Sequence, residues 1–314
     1  MPLETSRIHD VPNDPIDAID YCYEQGWTDG LPVVPPSVDR VEEMLLYEGR
    51  PAETVIASHS TTGLECTIHA AAINAVMAGC KPEYLPVIVA ALEAMNEPAF
   101  NFHGSSASTG GSSPFLIVSG PVAEDLDMNS DANLFGPGNR ANATIGRSIR
   151  LILMNVFRMI PGVSDKSTQG NPGKYSLCIA ERSRGNPWPL LTEEQNYPDG
   201  VSSVTVFAGG GFCNVENHGA SEPEQVLDSV ADAMANYGCI TLGQSAIVLA
   251  PEHVRIMSEA GWRREQVREY LFIHANRKVT GLKSVGKFRQ RDYDRQHGDG
   301  ETSRLLVENQ LHRG

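Results

Sequence analysis

The sequence predicts an α/β fold (or α+β): a mixed sheet with helices on its faces, in one large domain or two lobes sharing a cleft. Short runs rich in β-branched and aromatic residues, FLIVSG (115–120), YSLCIAE (175–181), SVTVFAG (203–209) and SAIVLA (245–250), alternate with helix-length segments of helical periodicity. With 314 residues, 41% of them apolar and 20% charged, the chain can bury a large core.

The elements follow in order. PIDAIDYCYEQG (15–26) reads as a helix that opens on Pro15 and closes at Gly26. WTDGLPVVPPS runs as a turn and an extended segment, and Ser37 caps a helix over 38–47. After a strand at TVIAS, Thr62 and Glu65 form a capping box for a buried helix that runs to Ala78, with Gly79 beyond its end. PEYLPVIVAALEAM (82–95) is a second apolar helix, and FNFHGSSASTGGSSP (100–114) is a Gly/Ser-rich loop. Later helices fall at 223–236 and 252–275, the second broken at Gly261–Trp262. The expected organisation is an N-terminal helical and extended arm (1–50), an α/β core of one or two lobes (51–286) and a charged tail (287–314).

The net charge of −14 disfavours nucleic acid and anionic membrane as partners, and it makes a local group of cations informative. The polar start and the short apolar stretches predict a cytoplasmic protein. Six scattered cysteines (Cys22, Cys66, Cys80, Cys178, Cys213, Cys239) lack the spacing of a disulfide framework or a zinc site.

Two Gly/Asn/Pro loops flank one apolar helix. FGPGNRANATIGR brings Arg140, Asn142, Thr144 and Arg147 to its start, and QGNPGK brings Lys174 after its end. Helix starts favour anions, so the loops are expected to fold together and line one pocket for a small carboxylate or phosphate. GPGNRA lacks the preceding strand of a dinucleotide site, and GNPGK lacks the leading glycine and Ser/Thr of a Walker loop. A nucleotide cofactor is therefore disfavoured, and the sequence requires no other cofactor.

Cys80 lies between two helices, where free N–H groups would favour the thiolate. His103 opens a serine-rich loop able to supply a nucleophile or an oxyanion hole. Glu216-x-His218 suits an acid/base pair, or, with His103, the ligand set of an open metal site.

The phrases GWTDGLPVVPP, INAVMAGCKPEYLPVIVAALEAM, FGPGNRANATIGR, QGNPGKYSLCIAE and PEHVRIMSEAGW together resemble a bacterial family of uncharacterised proteins. Its members are often encoded beside, or fused to, small proteins with a UGSC-type selenocysteine or cysteine motif. The resemblance runs to about residue 275 and departs from the family at ERSRGNPW (181–188). It implies a link to thiol or selenol redox chemistry, for which this chain carries no motif of its own.

The expected function is a cytoplasmic enzyme that holds a small anionic metabolite on Arg140, Asn142, Thr144, Arg147 and Lys174. Cys80 as thiolate, or His218 with Glu216 as base, would act opposite His103 in lyase or thiol-dependent redox chemistry. A non-catalytic accessory subunit of a thiol/selenol redox system is one alternative. A metal-dependent hydrolase on His103, Glu216 and His218 is another. Expected partners are the small substrate, further copies of the chain and a redox partner protein.

Overall fold

The computed structural model describes residues 7–11, 13–106, 109–237 and 244–286. The chain divides into two compact units, one of residues up to 184 with 190–211, the other of 185–189 with the residues from 212 on.

In the first unit, α1 (Pro15–Glu24) begins with Pro15, and the Asp14 carboxylate accepts the N–H groups of Ile16 and Asp17. A second helix, α2 (Val38–Glu48), ends at Gly49, whose φ of 76° suits glycine. The expected arm is part of the core instead. Cys22, Val33, Val41 and Met44 are buried in the main hydrophobic cluster, and the Val34 N–H donates to Met77 O. Burial of these apolar side chains moves the first unit boundary from residue 50 to beyond the last sheet strand.

Strands β1 (Val55–Ser58) and β2 (Glu65–Thr67) pair antiparallel and lead into α3 (Ile68–Ala78). The anticipated capping box does not form. Residues 65–67 are spent on β2, the helix starts five residues later than a Thr62/Glu65 box requires, and Thr67 Oγ1 accepts the Ala70 N–H at 3.2 Å. A single 3-10 turn joins α3 to α4 (Leu85–Asn96), and part of the expected Gly/Ser loop is a short helix, α5 (Phe102–Ser106).

A mixed sheet, as expected, is built from β3 (Ser113–Ser119), β4 (Cys178–Ala180) and β5 (Ser203–Gly209) in the order β4-β3-β5. β3 runs parallel to β4 and antiparallel to β5. The short helix α6 (Val122–Asp125) and the long α7 (Arg140–Asn155) lie between β3 and β4, and α8 (Leu191–Glu194) precedes β5. Helices α3, α4 and α7 form the core, with Ile68, Leu85, Ile88, Ile145, Ile149 and Ile152 essentially inaccessible to solvent. α7 approaches the β4 segment closely at Gly146, where an added Cβ would lie 2.8 Å from Leu177 N.

The second unit comprises α9 (Pro223–Tyr237), α10 (Pro251–Glu259), α11 (Arg264–His274) and α12 (Val279–Ser284). Trp188, Leu227, Met257, Val267 and Leu271 form its core, and Trp188 Nε1 donates to Trp262 O at 3.0 Å. The expected strand SAIVLA is not a strand: Ile247 and Val248 are exposed, and no neighbouring chain supplies a ladder among the described residues. The charged tail and Cys239 lie outside the described residues. No helix among them is long and apolar enough to cross a membrane.

Candidate functional site

Five residues were expected to share one anion pocket, and α7 separates them. Asn139 is the N-cap, accepting the Asn142 N–H at 3.0 Å. Asn142 is buried and clasps Asn129, accepting its N–H and donating to its carbonyl, both at 3.0 Å. The Thr144 hydroxyl donates to Arg140 O, and Arg140 Nε donates to Gly79 O at 2.9 Å. Arg147 forms a fork on Asp29 at 2.8 and 2.9 Å and also donates to the carbonyls of Leu31 and Pro32. A guanidinium engaged in this way through Nε and Nη2 fastens the 29–32 turn to α7.

Lys174 lies at the other end of the helix. Arg150 Nε donates to Lys174 O at 2.7 Å, ten residues, or about 15 Å, along the helix from Arg140. Lys174 belongs with the serine-rich loop. Thr168 N–H donates to Thr109 O, Asn171 Nδ2 donates to Gly111 O at 2.6 Å, and a Cβ on Gly111 would stand 3.1 Å from Gly170 Cα. The two glycine loops expected to meet therefore do not; a different pair does.

That second pair of loops holds the best-built polar site. Asp165, Arg150 and Lys174 form a compact charge group, with Lys174 Nζ at 2.5 Å and Arg150 Nη1 at 3.8 Å from Asp165 Oδ2. Burial raises the Asp165 carboxyl's pKa, but bonds from Lys174 and Ser167 outweigh it and hold the group below the ordinary carboxylate range. Burial also draws the Arg150 guanidinium below its usual value, opposed by Asp165 and Asp29; it stays cationic. Two cations against one carboxylate leave a net positive charge of one. Arg150 and Asp165 border a narrow cleft of about 10 Å³, with Ser105, Ser106 and Ser112 on its polar side and Met95, Phe100, Phe102, Leu153 and Met159 on its apolar side.

Ser106 joins this cleft to a histidine pair. His59 is 1% exposed, its Nε2 lies 3.4 Å from Ser106 Oγ, and its ring packs edge-on against Phe102 and His103. The Thr62 N–H donates to His59 Nδ1 at 3.3 Å, and Thr62 Oγ1 lies 2.9 Å from the same atom. This assigns the ring proton to Nε2, facing Ser106, whose own hydroxyl donates to His103 O at 3.1 Å. Burial lowers the His59 pKa, and the neighbouring His103 lowers it further, so the ring is neutral. The resting arrangement is a hydrogen-bond chain beside the cleft, from His59 Nε2–H to Ser106 Oγ and from the Ser106 hydroxyl to His103 O.

Other expected groups stand apart from it. Cys80 borders a separate surface groove with Arg40, Glu43 and Arg140. Its thiol is pushed up to about 12 by burial, although Thr144, Arg140 and Arg147 favour the thiolate. The expected lowering is thus reversed, because desolvation outweighs the nearby donors and cations. His103 is exposed and meets the His59 ring edge-on. Glu216 and His218 are exposed in the loop after β5; Asn217 between them turns inward to Gln225 O, Ser229 and His253. Among the described residues no group of three or more His, Cys, Asp or Glu could hold a metal ion, so the set His103, Glu216 and His218 gains no support.

His59, Arg150 and Asp165 escaped the sequence reading. Arg150 left a trace, as a lone cation inside the apolar run SIRLILMN; a buried arginine requires partners. His59 and Asp165 left none, since their decisive neighbours, Ser106 for His59 and Arg150 for Asp165, come from distant stretches of chain. No family model, curated protein or solved structure matches the chain.

Proposed function

We propose that the chain is an enzyme that binds a small carboxylate- or phosphate-bearing metabolite in the Arg150 cleft and carries out acid–base chemistry of the lyase type. The observation that carries this reading is the junction at Ser106, which borders the cationic cleft and lies 3.4 Å from the Nε2 of buried His59. Among the described residues Arg150 has one hydrogen bond, to Lys174 O, and a long contact to Asp165, which leaves guanidinium N–H groups for a ligand oxygen. With the anion held there, the Ser106 hydroxyl is placed to donate a hydrogen bond to an oxygen that gains negative charge as a bond breaks, and His59 Nε2–H, facing Ser106 Oγ, would strengthen that donor while keeping its own proton. A lowered His59 pKa suits this role, because the neutral ring keeps the Nε2–H donor without adding a buried charge.

Thiol chemistry by Cys80 finds no support in a thiol that burial keeps protonated. If the phrase resemblance reflects a redox system, the reactive thiol or selenol belongs to the partner. A reducing, cytoplasmic setting is part of the proposal, in keeping with described cysteines that are all free.

A thermal-shift panel of small carboxylates and phosphates tests the reading. At least one compound should stabilise the wild type, Arg150→Lys should weaken its binding about tenfold or more by losing the planar fork, and Ser106→Ala should still bind it. With that compound as substrate, Ser106→Ala and His59→Gln should each lose about a hundredfold in turnover. No stabilising compound for the wild type, or equal binding by Arg150→Lys, removes the proposal.

A further inference from the structure

Arg150 limits what its cleft can accept. The side chain is 9% exposed, and among the described residues its guanidinium makes one hydrogen bond, from Nε to Lys174 O at 2.7 Å. Nη1 stands 3.8 Å from Asp165 Oδ2, beyond hydrogen-bond length. The N–H groups of Nη1 and Nη2 are therefore the open donors beside the cleft, and they lie in one plane. Lys174 plays a different part. Its ammonium donates to Asp165 at 2.5 Å and to Ser167 Oγ at 2.6 Å, and it does not border the cleft.

Charge sets the first limit. Two cations and one carboxylate, Arg150, Lys174 and Asp165, sum to +1, so one negative charge neutralises the group. A second would stay uncompensated beside side chains that are nine-tenths buried. Shape sets another. The space of about 10 Å³ has room for about one water-sized group. A carboxylate is flat and presents one edge to a planar guanidinium, whereas a phosphoryl group is tetrahedral and spreads its oxygens around the phosphorus. The lining sets the last. Opposite the serines stand Met95, Phe102, Leu153 and Met159, all buried, and a further charged group against them would lose its water and find no partner.

We propose, building on the anion cleft above, that its ligand is a singly charged carboxylate of a few carbons with an apolar arm, and that dicarboxylates and phosphoryl compounds are rejected. The carboxylate meets the open Nη1 and Nη2 donors of Arg150, and the arm leaves along the wall of Met and Phe side chains. Specificity is a difference between affinities, and here it has an attractive and a repulsive part. Arg150 supplies the attraction. Asp165, bonded to Lys174 and Ser167, keeps the group from reaching +2 and so turns away the second charge of a dianion.

Calorimetric titration of the full chain at neutral pH with butyrate, succinate and propylphosphonate decides it. Succinate adds a second carboxylate to a chain of the same length, and propylphosphonate keeps the arm and changes the head group. Butyrate should bind the wild type and lose about tenfold or more in Arg150→Lys, and the other two should bind the wild type at least about tenfold more weakly than butyrate. Asp165→Asn raises the group to +2 and should close most of the gap for succinate. If that variant does not fold, the wild-type comparison decides alone. Succinate or propylphosphonate binding as tightly as butyrate, and still weakened by Arg150→Lys, overturns the carboxylate class while the anion cleft stands. A gap unchanged in folded Asp165→Asn overturns it too. No binding by any of the three, or binding indifferent to Arg150→Lys, removes the anion cleft and this assignment together.

Discussion

Asp165→Asn probes the physical basis of the cleft. The Asp165 side chain is 6% exposed, and it lies between Lys174, 17% exposed, and Arg150, 9% exposed. Removing one member of a buried ionic group costs about 3–5 kcal/mol, because the remaining charges stay desolvated and uncompensated. Asparagine keeps an oxygen that can accept from Lys174 and Ser167, which places the expected loss near the lower end, about 3 kcal/mol. For a domain of this size that corresponds to a melting point lower by about 6–12 °C. Urea unfolding at neutral pH measures it directly. The pH dependence supplies a second test. The folded pKa of Asp165 lies below its unfolded value, so its contribution is complete above the ordinary carboxylate range and drains away as pH falls through the folded pKa. Wild type and variant should therefore converge in acid. A loss under about 0.5 kcal/mol at neutral pH, or a gap that persists in acid, would show that the three charges are a solvated surface group.

Gly146→Ala sets helix propensity, which favours alanine by about 1 kcal/mol, against a Cβ placed 2.8 Å from Leu177 N and 3.2 Å from Cys178 Cβ. Ser176 can rotate away but the Leu177 backbone, bonded to Leu116, cannot, so overpacking should win with a net loss of about 1–2 kcal/mol in urea unfolding. Iodoacetamide at neutral pH should label Cys213, which is exposed, and leave buried Cys66, Cys80 and Cys178 untouched until denaturant is added. Peptide mapping reads this out, and rapid native labelling of Cys80 would contradict its raised pKa. Arg147→Met should loosen the 29–32 turn, seen as faster hydrogen exchange there, with no change in anion binding at the Arg150 cleft.

Local signals were legible where neighbours along the chain decide the outcome. Pro15 opening α1, Gly79 closing α3 and the apolar stripe of α7 all appear in the structure because capping, positive φ and helical spacing act within a few residues. The strands FLIVSG and SVTVFAG pair because each is long and β-branched enough to find the other. SAIVLA has the same composition and forms no strand, since a ladder needs a partner that composition cannot name. Thr62 shows the limit most plainly. Its spacing to Glu65 matched a capping box, yet its hydroxyl lies against His59 and the helix starts later.

By itself, the sequence determined the mixed α/β class, the helical segments and the presence of a cationic loop at each end of one apolar helix. Tertiary structure decided which loop faces which. Lys174 meets the helix at Arg150, ten residues or about 15 Å along from Arg140, so the two cations are held in different surroundings. Packing of the 168–174 loop on the serine-rich loop then placed Asp165, Arg150, Ser106 and His59 together from four separate stretches of chain. No spacing rule reaches across such separations, because only burial and desolvation select those partners.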